Sequence, residues 1–574
     1  MKIINKFIIA FAGIFLISSC QFFDYEKQYD PFSVTPANAG VDYLYNNIQL
    51  DFNNFYYAAH EFGAPVSRML AMTAGKHYES SYTALGFNGI WGVAYNGMLP
   101  DMEAMIAKAA ESNLEFHIAN VKIMKSYMLT TLVDLFGDVP YTEATQGTDF
   151  ISPKVDQQDA IYATALTLLD EAVTTLKATT AAAPNIDMFY GGDKDNWIAF
   201  ANTLKLRIYN NTRLVDATAG TKIQQIIANE NIIDDPSEDF QFNYGNNRNN
   251  PDNRHPGYAD SYETTDGTYQ SNYYMWLMLQ EGNKYGMDDP RARFYFFRQD
   301  TDLSDEDPTT WGCYLTSVPV DGPTDTPPHY SAVDPDMCYC VGRFDGYYGR
   351  DHGNDTGIPP DGPIRTVYGV YPAGGLFDDG KGGDVQKSGT LGGLGKGINP
   401  IMLSSYVYFM RAEAALTAGT SDDAKAMLMT GIEHSMDKVF SFENLVDVNK
   451  VIGQDVGGND ITIKSAFIDG LGTDMADYMA EVSLAYDAAD ATGKLDIVMT
   501  EYFKALYGNG LESYNNLRRT SMPSNVQPML EANPGTFLWS ALYPTNFVDR
   551  NQFATQKSMA DKIFWDTSSA TAVK

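Results

Sequence analysis

"NLEFHIANVKIMKSYMLTTLVDLFGDVPY", residues 113–141, carries the pattern that decides the fold. Leu114, Ile118, Val121, Met124, Met128, Leu132 and Leu135 recur at helical spacing, and Phe116, Ile123 and Tyr127 widen the apolar face beyond one stripe. A helix this apolar must be packed on more than one side, so its neighbours in the chain are expected to be helices too. Gly137 followed by Pro140 predicts its end, because glycine accepts positive φ and proline cannot continue the hydrogen-bond ladder.

Moving outward, Ile161, Ala165, Leu168, Ala172 and Leu176 make a second stripe, and Trp197, Phe200, Leu204 and Ile208 make a third after a polar turn. Two stripes in succession predict a helical hairpin. "YFMRAEAALTAGTSDDAKAMLMTGIEHSM", residues 408–436, predicts another: Gly419 ends one helix, and Thr420 or Ser421 is expected to cap the next. With Ala424 at the small position of a second tetratricopeptide helix, Tyr408, Ala412, Leu428 and Gly431 take that repeat's large, small, large and small positions. Met436 stands where the repeat would place proline, so the repeat is degenerate. Between about residues 240 and 400 the texture changes to Gly, Pro, Asp, Asn and Tyr. Loops of this length commonly carry function, and the tyrosines argue against disorder. The expected fold is mainly α, one domain over 41–574, with a helical scaffold at 41–239 and 401–574 and a loop-rich insertion at about 240–400.

At the N-terminus, Lys2 and Lys6 precede the apolar run Phe7–Ile17, then Ser18, Ser19 and Cys20, the parts of a secretory leader over residues 1–19. The run falls short of the roughly 20 residues that a membrane-spanning helix needs. Ile17-Ser18-Ser19-Cys20 resembles the bacterial lipobox, in which the cysteine is diacylated and becomes the new N-terminus; residues 20–40 then read as a lipidated tether. The 73 acidic against 40 basic residues, a net charge of −33, argue against nucleic acid and against electrostatic adhesion to anionic lipid. Membrane contact is expected through the lipid. Beyond Cys20 the cysteines are Cys313, Cys338 and Cys340, and a bond from Cys313 to Cys338 or Cys340 is the expected oxidised form, with three buried thiols as the alternative.

Four segments together resemble the SusD/RagB-like nutrient-binding outer-membrane lipoproteins. "YMLTTLVDLFGDVPYTEA" is similar to the family's helix and Gly-Asp-x-Pro-Tyr turn, through Asp134, Gly137, Asp138, Pro140, Tyr141, Glu143 and Ala144. "WIAFANTLKLRIYNN" resembles its Trp-x-x-Phe-Ala-Asn-Ser-Leu-Lys-x-Arg helix with Thr203 for Ser, "YVYFMRAEAAL" its Ala-Glu-Ala helix, and "GLESYNNLRRTSMP" its closing segment with Arg518 and Arg519. The resemblance implies a scaffold of tetratricopeptide-like hairpins with a loop-rich binding face. It also implies a TonB-dependent (SusC-like) outer-membrane transporter as partner, an oligosaccharide or peptide as ligand, and a lipid-anchored position at the outer membrane, on the cell surface. Asp134, Asp138 and Arg207 read as structural residues that pair internally.

Catalytic signatures are missing. The seven histidines form no His-Glu-x-x-His, and no Gly-x-Ser-x-Gly elbow or phosphate loop occurs. A non-catalytic binding protein is therefore expected, with a surface glycoside hydrolase using a carboxylate pair as the alternative, since carboxylate separation is not written in a sequence. No organic cofactor is expected. "DTDLSDEDP" offers Asp300, Asp302 and Asp305 as an irregular calcium loop without an EF-hand's central glycine, and "DDGKGGD", Asp378 to Asp384, is a second calcium candidate. Sugar rings need flat aromatic platforms beside polar partners. "RFDGYYGRD" supplies Tyr347 and Tyr348 with Asp345 and Arg350, and Tyr78, Trp276 and Trp311 are further platforms. Trp276 also has a core reading, because Leu277 and Leu279 lie beside it.

Overall fold

The computed structural model describes residues 39–144, 146–264, 267–303, 326–343, 345–355, 361–385 and 389–567. Helix dominates it. The longer helices are α1 (Val41–Val66), α2 (Leu99–Glu111), α3 (Glu115–Phe136), α4 (Gln158–Ala178), α5 (Lys194–Thr212) and α6 (Ala219–Asn229). After the insertion come α7 (Ser404–Thr417), α8 (Ala424–Phe440), α9 (Leu471–Ala488), α10 (Ala491–Ala505) and α11 (Gly510–Thr520). Strands are short and pair in twos: β1 (Phe240–Asn243) with β4 (Ile398–Met402), β2 (Phe296–Phe297) with β3 (Val367–Tyr368), and β5 (Val451–Gln454) with β6 (Asp460–Thr462), all antiparallel. None of the described helices is long and apolar enough to cross a membrane.

The helix read first, α3, is buried along nearly its whole length from Phe116 to Phe136, as its all-round apolarity demands. It ends where Gly137 turns to φ +75° and donates its N–H to the Val133 carbonyl at 2.8 Å. The pairs α3–α4, α5–α6 and α7–α8 pack together, consistent with tetratricopeptide-like hairpins, and α4 packs on α5 as the two successive stripes predict. In the α7–α8 pair, a Cβ on Gly431 would press within 3.2 Å of the Phe409 ring, which is why the small position is needed there. The cap of α8 is Asp423, whose carboxylate accepts from the Lys425 and Ala426 N–H groups at 2.9 and 3.1 Å, in place of the expected Thr420 or Ser421.

Buried ion pairs lock the hairpins together. Asp134 on α3 accepts from Arg207 Nη2 of α5 at 3.0 Å, from Asn515 Nδ2 of α11 at 2.9 Å and from Trp565 Nε1 at 3.0 Å. Arg207 Nε reaches Glu512 Oε1 at 2.5 Å, and Arg519 holds Glu413 of α7. Asp138 accepts from the Gln158 N–H at 3.1 Å, at the start of α4. These residues, marked by the motifs, thus fix helix ends and crossings. Such charges are stable in a low-dielectric core only when fully paired. One apolar core runs from Ala39 to Trp565 and includes Tyr262, Phe294, Tyr347 and Tyr368 of the insertion, so that insertion is packed into the scaffold rather than draped over it.

Helix α1 is held by backbone contact. A Cβ on Gly63 would collide with the Gly510 carbonyl, and the Gly510 N–H donates to His60 Nδ1 at 3.0 Å. With one face pinned to α11 and another carrying Phe52, Phe55, Tyr56 and Ala59 into the core, α1 turns a third face outward.

Candidate ligand-binding site

The sequence-expected platforms lie in the interior. Tyr78, Trp276, Tyr347, Tyr348 and Arg350 are each 2% or less exposed. The guanidinium groups of Arg298 and Arg343 lie 4.7 and 5.3 Å from the centre of the Tyr347 ring. The Tyr348 hydroxyl donates to Asp361 Oδ2 at 3.0 Å, and Arg350 Nη2 pairs with the same oxygen at 3.2 Å while stacking on Tyr269 at 4.1 Å. Asp345, partly exposed, accepts from Arg298 Nη1 at 3.2 Å and Arg343 Nε at 2.8 Å. Tyr78 receives a hydrogen bond from Arg68 Nη2 at 3.0 Å and packs edge-on against Phe537. Trp276 is core, as Leu277 and Leu279 beside it suggested.

The physical reason is close backbone packing. A Cβ at Gly346, which has φ +105°, would collide with the Asp300 carbonyl, and one at Gly349 with that of Gln270. The glycines of "DGYYGRD" therefore let the turn sink into the protein. Of the remaining expectations, Trp311, Asp305, Cys313 and Cys20 lie outside the described residues. Asp300 Oδ1 accepts from the Asp302 N–H at 2.9 Å, and among the described residues no group of three or more His, Cys, Asp or Glu side chains is arranged to hold a metal. Cys340 is disulfide-bonded, whereas Cys338 is a free, buried thiol.

A cavity of about 560 Å³ opens on the outward face of α1, within the usual size range of small-ligand sites. Asn54, Tyr57, Ala58, Glu61 and Phe62 form one wall. Their spacing of three and four residues keeps them on one side of the helix. The facing wall is the segment Ser81–Val93, through Tyr82, Thr83, Phe87 and Ile90. Phe62 meets Tyr82 and Phe87 edge-on, at 5.7 and 5.4 Å between ring centres. Tyr57 lies 5.7 Å from both His60 and His255.

The Tyr82 hydroxyl is buried with no hydrogen-bond partner among the described residues. Glu61 is the only charged residue among the described residues lining the cavity. Solvent reaches Glu61, yet protein surrounds it closely enough that desolvation pushes its carboxyl up to about 7; Tyr57 opposes the shift and the nearby charge of Asp260 adds to it. The adjacent imidazoles provide no positive charge at neutral pH, because burial takes His60 down to about 4 and His255 to about 3. Two other hollows differ in kind. In one of about 510 Å³, Lys284 and Asn525 already hold Asp334, and Ser524 holds Asp496. A hollow beside Tyr347 measures about 230 Å³, with Arg293 stacked on Phe467 at 4.3 Å. The α1 cavity was missed in the sequence, although "NNFYYAAHEF", residues 53–62, carries the signal: aromatic and polar side chains share the helix face opposite Phe52, Phe55 and Ala59.

A scaffold of packed helical hairpins with an aromatic-lined cavity on one helix face is the architecture of a helical-repeat protein. Residues 32–328, more than half of the chain, match the family model described as starch-binding associating with outer membrane, and residues 398–563 match that described as SusD and RagB outer membrane lipoprotein. The chain belongs to the SusD-like family. Among solved structures it is similar to a SusD homologue from Bacteroides fragilis NCTC 9343, with 16% identity, a TM-score of 0.63 and coverage of 92% of this chain and 100% of that one. A chitin-binding SusD homologue from Flavobacterium johnsoniae gives 17%, 0.58, 92% and 99%. A SusD homologue from Bacteroides uniformis ATCC 8492 gives 15%, 0.60, 92% and 99%. At these identities the likeness carries the fold alone. No curated protein matches the sequence.

Proposed function

We propose that this protein captures an oligosaccharide in the cavity on α1 without cleaving it and passes it to a TonB-dependent outer-membrane transporter, while a lipid on Cys20 holds it at the cell surface. The observation that carries this reading is the cavity's lining: aromatic rings for the apolar faces of a sugar, with Asn54, Glu61 and Thr83 for its hydroxyls. Glycoside hydrolysis needs two carboxyl groups flanking one bond, and among the described residues lining this cavity Glu61 is the only carboxylate, which favours capture over turnover. Family membership supports the transporter partner, and the chitin-binding relatives make chitin oligosaccharides the first ligands to try.

Calorimetry of the soluble chain, begun after Cys20, against a panel of glycans and peptides tests the reading. A glycan should bind with no product formed, and Tyr57→Ala should weaken it about tenfold, since one aromatic platform contributes on the order of 1 kcal/mol beyond its buried area. Unchanged affinity in the folded variant would move the site elsewhere, and product formation would make the protein a hydrolase.

A further inference from the structure

We infer that the ligand of the α1 cavity is a glycan carrying a free amino group, and that Glu61 is the residue that pairs with its ammonium. The inference rests on the reading of this cavity as the ligand site. Glu61 is the only charge in the lining, and no cation of the described residues acts on it; the charge that does is Asp260, another anion. The carboxylate is reached by solvent and hydrogen-bonded by Tyr57, but it has an anion and no cation of the described residues beside it, so a positive group is the partner that its charge lacks. The groups around it do not supply one. On its own helix stand Tyr57 and the neutral His60; from the insertion come His255, also neutral, Asp260 and Tyr368.

The rings point the same way. Tyr57, Phe62 and Tyr82 line the same cavity with aromatic surface, and an ammonium is favoured over such faces whereas an anion is not. At long range the net charge of −33 draws cations toward the protein. A fully acetylated or neutral sugar could give Glu61 only a hydroxyl or amide contact. An amino sugar gives it a charge-assisted hydrogen bond, roughly twice as strong. The acidic composition, which elsewhere on the chain only repels anions, here becomes selective.

The probes are two hexasaccharides of the same linkage, one of glucosamine and one of N-acetylglucosamine, titrated into the full mature chain at about pH 6.5. Wild type should bind the glucosamine form about tenfold more tightly. Its binding should release a proton, read from the dependence of the heat on buffer, because an ammonium brought to Glu61 favours the charged carboxylate. Glu61→Gln, which keeps the shape and the hydrogen bonding, should abolish both the preference and the proton release with helicity unchanged. Equal or tighter binding of the acetylated form, or a preference that survives in Glu61→Gln, overturns the inference and leaves the glycan-capture reading standing. If neither hexasaccharide nor any other glycan binds, the capture reading falls and the inference with it.

Discussion

The turn from Arg343 to Asp351 and the outward face of α1 from Asn54 to Phe62 are made of the same materials: tyrosines, a phenylalanine and acidic groups. Only one of them is open. In the turn, Tyr347 packs against two guanidinium groups, Tyr348 and Arg350 converge on Asp361, and Asp345 holds Arg298 and Arg343. On the helix face the rings touch edge-on, the Tyr82 hydroxyl opposite has no partner among the described residues, and Glu61 faces no cation there. Composition nominates both regions. Counter-charge separates them: Asp345 and Arg350 of the turn are each paired, and Glu61 is left without a cation among the described residues.

Breaking the closed region should have the largest effect. Asp361 accepts from the Tyr269 hydroxyl at 2.6 Å and the Tyr348 hydroxyl at 3.0 Å, and neutralises Arg350 at 3.2 Å. Asp361→Ala removes the counter-charge of a buried guanidinium, a loss of about 3–5 kcal/mol. Urea unfolding should show it as a lower midpoint, while glycan affinity per folded molecule stays at the wild-type value. A loss of affinity in fully folded Asp361→Ala would mean that the closed region takes part in binding after all.

The same substitution made once in each region sharpens the contrast. Tyr348→Phe strips a hydroxyl that donates to Asp361 and should cost about 1–3 kcal/mol, with binding unaffected. Tyr82→Phe strips a buried hydroxyl that has no partner among the described residues, so stability should hold or rise by about 1 kcal/mol, and glycan affinity should hold because the ring that lines the cavity is kept. Opposite signs in thermal unfolding are the expected outcome. Destabilisation of equal size in both variants would show that the Tyr82 hydroxyl is as engaged as that of Tyr348.

Much of the scaffold was legible because helix burial writes itself in apolar spacing. The run from Leu114 to Leu135 gave α3 and its glycine stop, and the ordered motifs gave the family, since Asp134, Arg207 and Arg519 are the buried charges that cross-link the helices. The binding residues were not legible where they were sought. Glycine serves a mobile turn and a tight backbone approach equally well, and what buries the turn at Gly346 and Gly349 is the backbone of Asp300 and Gln270, remote in the chain. The cap of α8 illustrates the same limit on a small scale. Four neighbouring polar residues, Thr420 to Asp423, precede it, and the carboxylate of Asp423 is the one that reaches two N–H groups. Conversely, the α1 face was readable in principle, because five cavity residues at helical spacing break the rule that an amphipathic helix is plainly polar outside.

The smallest expected effect lies in the pH dependence of the open region. The Glu61 carboxyl stands at about 7 in the folded chain against 4.5 for an unperturbed glutamate. Between those values the folded chain retains a proton that the unfolded chain has lost, so unfolding free energy falls as pH rises through this window. The stability given by the neutral carboxyl is fully present below about 4.5 and gone above about 7. Since solvent reaches Glu61, the change should be only a small part of the whole pH profile. Asp351, buried and raised to about 6, contributes with the same sign in an overlapping range. The measurement is therefore a difference: Glu61→Gln against wild type, followed by urea midpoint from pH 4.5 to 7.5, with Asp351 common to both. The variant should lose less stability across the window than wild type does. Parallel curves would mean that Glu61 titrates as an ordinary surface carboxylate, and the contrast between the open cavity and the closed turn would then rest on Tyr82 alone.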